Sequence, residues 1–465
     1  MIFSSIEFMV LMTVVLASLA LMRREGSRRN LLLVASYVFY GWWDWRFCGL
    51  ILASTCLDFV AAQRIEDSED ERIRWRWLML SISANLGALG VFKYTNFFLE
   101  SLNQAVGFDL PHLDIVLPVG ISFYTFQTMS YSIDVWRGTL TAHRTFRDFA
   151  LYVAFFPQLV AGPIVRASVF LPQLKDEHPL TRSNLVEGAD LFVKGFVKKL
   201  LFADTLALIA DPVFADPSRW DSPTVWLGVM AYTGQIYYDF SGYSDMAIGV
   251  GRMLGYQFPD NFKHPYLSRS VTEFWRRWHI TLSFWLRDYL YISLGGNRIS
   301  ALFTYRNLAI TMLLGGLWHG ASWNFVVWGA LHGVALAVHR LSLGLRGRRP
   351  DDHGGPVRQV LGWLGTLLFT MVAWVFFRAT TMADAWHILE KMLGQDPQGI
   401  QWMHTQSIVV LGLAVVLHVG TLVRKQREYR FDLGRPAGVV AAFWALVAVL
   451  CFSPLSTSPF LYFQF

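Results

Sequence analysis

Apolar residues in this chain come in long runs separated by short basic clusters. Residues 359–377 and 405–423 are stretches of 19 without Asp, Glu, Lys or Arg, and residues 436–465 form one of 30. A helix rises 1.5 Å per residue, so about 20 residues cross a hydrocarbon core of about 30 Å. Each run is predicted to span a membrane. Residues 6–22 form a further apolar segment, with Glu7 inside its start and Arg23, Arg24, Arg28 and Arg29 behind it. A secretory leader carries its positive charges first, so this segment reads as a retained anchor.

The middle of the chain is less regular. Residues 148–165, 188–210, 226–254 and 271–294 are apolar stretches interrupted by Pro, Gly and charge. Such segments are tolerated at membrane depth only where they are buried in protein or line a wet cavity. The pattern predicts an all-α polytopic membrane protein of about eleven transmembrane helices, with re-entrant or interfacial helices and a central cavity. It is read as a single domain over 1–465 with its core at about 115–340, without internal repeat or soluble domain.

Between Arg306 and Arg340 lie 33 residues without a charged side chain. As one straight helix they would measure about 50 Å, too long for a single crossing. Gly315, Gly316, Gly320 and Ser322 permit the necessary break. With both arginines cytoplasmic, the run is predicted to be a helical hairpin with Trp318-His319-Gly320 at its apex, deep in the membrane.

Composition agrees with this pattern. The chain is 54% hydrophobic and 16% charged, against about 25% charged in soluble domains. A net charge of +6 could suggest nucleic acid, but Lys and Arg cluster at the ends of apolar runs, where topology explains them. The positive-inside rule places 23–29, 64–76, 137–147, 346–358 and 424–435 in the cytoplasm. It leaves both termini and the 378–404 loop outside. Cys48, Cys56 and Cys451 show no CxxC pairing and sit in apolar surroundings, which argues for packing roles and against a disulfide framework or a metal site.

Three constellations could carry chemistry. His319 stands in Gly-Gly-Leu-Trp-His-Gly-Ala, and an ionisable residue inside an apolar run is by default a candidate functional residue. Its bland alternative is a satisfied core histidine. His279 lies in Glu-Phe-Trp-Arg-Arg-Trp-His-Ile-Thr-Leu-Ser-Phe-Trp, where positions 275, 278, 282, 285 and 289 fall at helical spacing. That segment reads as an amphipathic helix carrying Arg276 and Arg277, facing a pore or the cytoplasmic interface. Asp239 and Asp245 share one apolar span, and with arginines abundant nearby they are expected to be ion-paired supports. Lys194, Lys198, Lys199 and Arg166 could attract an anionic donor or anchor helix ends. His332 and His418 lie on apolar spans without polar companions in sequence. The chain has no GxSxG, HExxH, P-loop or GxGxxG signature.

Taken together, Tyr-Tyr-Asp-Phe-Ser-Gly-Tyr-Ser-Asp-Met-Ala-Ile-Gly (237–249), Phe-Trp-Arg-Arg-Trp-His-Ile-Thr-Leu-Ser (274–283), Leu-Gly-Gly-Asn-Arg (294–298) and Gly-Gly-Leu-Trp-His-Gly-Ala (315–321) resemble the membrane-bound O-acyltransferase family. Pro-Gln-Leu-Val-Ala-Gly-Pro-Ile (157–164) and the opening Met-Ile-Phe-Ser-Ser are similar to its bacterial alginate O-acetylation branch. The resemblance implies a helical fold around a tunnel in which a cytoplasmic acyl donor, acetyl-CoA or another acetyl carrier, meets an acceptor from the other face. It implies that the family's essential histidine falls on His319 and its upstream motif histidine on His279. It further implies an inner-membrane location, acetyl transfer for an exported polysaccharide, and a periplasmic acetyltransferase or secretion partner.

The chemistry fits those residues. A neutral imidazole can take the proton of an attacking hydroxyl. The oxyanion then needs donors, for which His279, Trp318, Trp278 or Asn324 are candidates; alternatively a histidine could carry the acyl group itself. No bound cofactor or metal is expected. D-alanyl transfer to teichoic acid and a non-catalytic transporter stay open as readings.

Overall fold

In the computed structural model the chain is built from helices, and the only strand-like pairing among the described residues is an isolated bridge between Trp220 and Ile400. The structure describes residues 1–160, 162–345, 347, 354–423, 430–454 and 460–461. Ala161, much of the basic stretches 346–358 and 424–435, and most of the last eleven residues of the 436–465 run lie outside them. The described chain divides into two compact units, one of Met1–Phe192 with Met246–Pro259 and one of Val193–Asp245 with Asp260–Phe465.

The first unit contains α1 (Ile6–Leu21), α2 (Glu25–Gly41), α3 (Arg46–Asp67), α4 (Glu71–Leu89), α5 (Thr95–Val106), α6 (Ile121–Trp136), the short α7 (Phe146–Ala154), α8 (Phe156–Leu159) and α9 (Ala167–Phe170), and the start of α10 (Arg182–Val197). Its polar residues are placed to satisfy helix ends and each other. Ser5 caps α1 by accepting from the Phe8 amide, and Asp70 caps α4 by accepting from the Arg72 amide. Arg28 is buried and donates to the Leu19 and Met22 carbonyls at 3.0 and 3.2 Å, so part of the first basic cluster serves as a C-cap for α1. Asp58, buried within α3, accepts from Ser81 and Asn85 of α4 and Ser132 of α6. Those bonds are what make a carboxylate tolerable inside an apolar helix.

The second unit holds the end of α10, a π-turn over Lys198–Ala203, α11 (Asp204–Ala215), the part of α12 (Ser222–Met253) up to Asp245, α13 (Val271–Trp275), α14 (Ile280–Trp285), a second π-turn over Leu286–Tyr291, α15 (Ala301–His319), α16 (Trp323–Leu345), α17 (Pro356–Arg378), α18 (Met382–Met392), α19 (Thr405–Val423) and α20 (Pro436–Phe452). By length and composition α3, α16 and α17 could each cross a membrane. The apolar α1, α20 and the Thr405–Thr421 part of α19 are shorter.

Two expectations need correction, and one stretch is more regular than its sequence: 226–254, interrupted by glycines and charge, lies almost wholly in α12, which runs 32 residues without a break. Its carboxylates are paired, and glycines such as Gly242, where a Cβ would stand 2.8 Å from the Gly195 carbonyl, let neighbours approach the helix closely. The segment 273–290, expected to be one amphipathic helix, is broken at 276–279 between α13 and α14, and α14 runs on into the π-turn. Finally, Cys56 and Cys451 are exposed on apolar helices and Cys48 is half-buried, so two of the three cysteines face outward instead of packing inside.

The run from Arg306 to Arg340 folds as the hairpin its length required. Helix α15 ends at His319, the chain turns through Gly320–Ser322, and α16 returns along it. The arms meet at glycines: a Cβ on Gly316 would strike the Phe325 carbonyl, and one on Gly329 the Met312 carbonyl. Gly333, four residues on, lies against Ala309 and Met312. This is the small-residue contact by which membrane helices pack closely where no hydrophobic effect drives them together. We predict that Gly329→Val destabilises the protein by about 2–3 kcal/mol. The check is the thermal unfolding temperature of detergent-purified protein; an unchanged value would mean that the arms do not touch in this way.

Candidate active site

The hairpin turn sets the position of His319. It is the last residue of α15, because Gly320 takes an extended conformation (φ −161°, ψ 150°) and a Cβ there would collide with the Phe325 ring. Ser322 then starts α16, its hydroxyl accepting from the Asn324 amide at 3.2 Å. The imidazole is 3% exposed. Trp318 and Trp328 lie 5.0 Å from its centroid and Phe377 5.3 Å, all edge to face. The partial negative charge of the carbonyls at this helix end sits beside a ring that must become positive when it takes a proton.

His279 reaches the same place from another element. Its backbone is left-handed (φ 42°, ψ 56°), a strained conformation for a residue other than glycine, and it starts α14 four residues after α13 has ended at Trp275. The strand of chain at 261–263 holds it there. The Ile280 amide donates to the Asn261 carbonyl at 2.9 Å, the Lys263 amide to the Arg277 carbonyl at 2.9 Å, and the Thr281 amide to Asn261 Oδ1 at 3.2 Å. His279 is fully buried, its ring 6.5 Å from that of His319, 6.2 Å from Trp318 and 4.7 Å from Phe240.

The same bonds define the proton on His279. A backbone amide can only donate, so the Asn261 atom facing Thr281 is the oxygen. His279 Nδ1 lies 3.2 Å from that oxygen and therefore carries a hydrogen, while Asn261 Nδ2 donates to Ser244. In the neutral ring Nε2 then holds the lone pair. Asn261 was missed in the sequence because Pro-Asp-Asn-Phe-Lys-His carries no periodicity, and only the fold brings it beside His279.

The remaining candidates divide between this site and the scaffold. Trp318 borders both histidines. Trp278 packs instead in an aromatic cluster with Phe262, Phe274 and Trp374 at 5.0, 5.6 and 4.9 Å. Asn324 commits one amide hydrogen to the Ala379 carbonyl at 2.8 Å, bracing the hairpin against the end of α17. Arg277 bonds Glu273 at 2.7 Å, and Arg276 is exposed. Asp239 and Asp245 are ion-paired, but to lysines where arginines were expected. Lys199 bridges Asp239 and Asp204 at 2.7 and 2.8 Å, and Lys194 and Lys198 converge on Asp245 at 3.1 and 2.6 Å. Lys194 at the end of α10 and Lys198 and Lys199 at the start of the following π-turn lie on the side that meets α12. Asp239 also accepts from the Leu461 amide, which brings Phe460 against Tyr243. Lys194 and Lys198 line a cavity of about 590 Å³ together with Tyr237, His264 and His418. Arg166 belongs to the other unit, at the start of α9.

Two histidines without polar companions in sequence acquire them in space. The Trp275 indole N–H donates to His332 Nδ1 at 3.2 Å. The His418 ring lies 5.6 Å from that of His264 and 5.3 Å from Tyr237. The arrangement around His319 can thus remove a proton from a hydroxyl inside a water-poor aromatic enclosure, with a second imidazole at hand.

Comparison with known proteins agrees with this chemistry. Residues 140–382 match the membrane-bound O-acyltransferase family, a span that includes His279 and His319. The chain is 46% identical to the probable alginate O-acetylase of Pseudomonas aeruginosa over 91% of its own length and 79% of that protein's. It is 39% identical to the peptidoglycan O-acetyltransferase of Helicobacter pylori over 80% and 75% of the two chains, and 32% identical to the teichoic acid D-alanyltransferase of Streptococcus thermophilus over 48% and 56%. The chain is a membrane acyltransferase and belongs to the membrane-bound O-acyltransferase family.

Proposed function

We propose that the protein O-acetylates an exported polysaccharide of the alginate type, with His319 as the base. The observation that carries this is the meeting of His319 and His279 in one buried aromatic enclosure at the apex of a hairpin. His319 takes the proton of the acceptor hydroxyl as its oxygen attacks the acetyl carbonyl, and returns that proton to the leaving group when the tetrahedral intermediate collapses. The donor is a co-substrate, acetyl-CoA or another acetyl carrier, and no resident cofactor is invoked. The longer and stronger likeness to polysaccharide O-acetylases, against a likeness to the D-alanyltransferase over half the chain, favours this acceptor over teichoic acid. A transporter has no need of a paired buried imidazole.

The reading includes a topology. About eleven helices cross the bacterial inner membrane, the five basic loops face the cytoplasm, and both termini face the periplasm, where a partner protein completes delivery to the sugar. The small-residue packing of α15 on α16 supports one part of it, since it puts Arg306 and Arg340 at the same end of the hairpin.

Two experiments test these statements. In a deletion strain, complementation with His319→Ala should lower polymer acetate by at least about 10²-fold while the protein still inserts, and His279→Ala should lower it severely. Near-normal acetate with His319→Ala would sink the catalytic reading. Cysteines placed at 306 and 340 should both react with a membrane-impermeant maleimide from the cytoplasmic side only; labelling from opposite sides would overturn the hairpin topology.

A further inference from the structure

One turn apart on α16, Trp328 and His332 present two buried N–H groups that the scaffold leaves unused. Both residues are 0% exposed. An indole nitrogen only donates, so His332 Nδ1, which receives the Trp275 N–H at 3.2 Å, carries no hydrogen of its own. The neutral ring therefore holds its hydrogen on Nε2. That Nε2–H and the Trp328 Nε1–H find no hydrogen-bond acceptor among the described residues. Their rings are 4.7 Å apart, and the Trp328 ring lies 5.0 Å from that of His319.

A buried donor without an acceptor costs stability, and native proteins rarely keep one without a use. Two of them one turn apart on one helix, the first against the base and the second against the first, have an evident use where negative charge forms during the reaction. We infer that Trp328 Nε1–H and His332 Nε2–H are the oxyanion donors of the acyl transfer. The inference rests on His319 as base. When the acceptor O–H loses its proton to His319, the new C–O bond forms and the carbonyl π pair moves onto the acyl oxygen. Trp328 and His332 hold that oxygen. On collapse the C=O reforms, the bond to the leaving group breaks, and the leaving group takes the proton from His319. His279 is unsuited to this task in its neutral form, because Asn261 fixes its hydrogen on Nδ1 and leaves a lone pair on Nε2. Trp275 acts through His332 as a positioning residue, setting which nitrogen is protonated.

The test has a functional and a spectroscopic arm. Trp328→Phe removes the N–H and keeps the ring, and should lower polymer acetate per unit of membrane-inserted protein by about 10²-fold. His332→Leu should do the same, and His332→Gln, which retains both an acceptor for Trp275 and a donor, should restore much of the loss. In the purified full-length wild type, ¹⁵N spectra of histidine, assigned by difference against His332→Gln, should show Nδ1 unprotonated and Nε2 protonated, with that preference lost in Trp275→Phe. Full activity of Trp328→Phe, or a protonated Nδ1 on His332 in the wild type, overturns the inference. Where Trp328→Phe or His332→Leu fails to insert, the wild-type spectrum can still overturn the inference. Retained acetylation in His319→Ala would be a different failure, that of the base itself.

Discussion

At Gly316 and Gly329 the two arms of the α15–α16 hairpin touch backbone to backbone, and the meeting of His319 with Trp328 follows from that contact. A hydrocarbon phase gives apolar side chains no reason to prefer one another over lipid, so helices associate through close van der Waals packing. The absence of side chains at these two positions is what allows it. With the arms in register, Gly320 turns the chain, His319 is left at the end of a helix, and Trp328 on the return arm meets its ring.

The second constraint is the treatment of polar groups away from water. The chain keeps many of them and satisfies them in small closed sets: Asp58 with three side chains of neighbouring helices, Lys199 with two carboxylates, His279 with Asn261. Burying a carboxylate or an ammonium alone would cost several kcal/mol, whereas these sets hold the helices in one arrangement. Among the buried polar atoms outside such sets, the two donors of α16 stand out by their place, one turn apart on the helix whose Trp328 meets the His319 ring.

Much of this was legible in the chain. The apolar runs marked helices, of which that at 359–377 reaches membrane length in α17, and the arithmetic of 33 uncharged residues required a fold-back at the glycines around 315–320. His319 stood out because an imidazole in such a run needs a reason, and His279 because its motif accompanies it. The break in the helix at 276–279 was not legible, since apolar spacing continues through it; the turn is imposed by hydrogen bonds to 261–263, a segment distant in sequence. The continuity of α12 was equally hidden, because glycines and carboxylates that interrupt an isolated pattern are absorbed once a neighbouring helix supplies lysines and close backbone contact.

The sequence by itself determined the membrane character, the helical class, the hairpin and the two histidines, because hydrophobic length and motif order are properties read along one dimension. The tertiary structure alone decided which nitrogen of His279 and of His332 carries a proton, which carboxylate meets which lysine, and which indole faces the base. Those depend on atoms a few ångströms apart in space and far apart in the chain, and no local pattern encodes them.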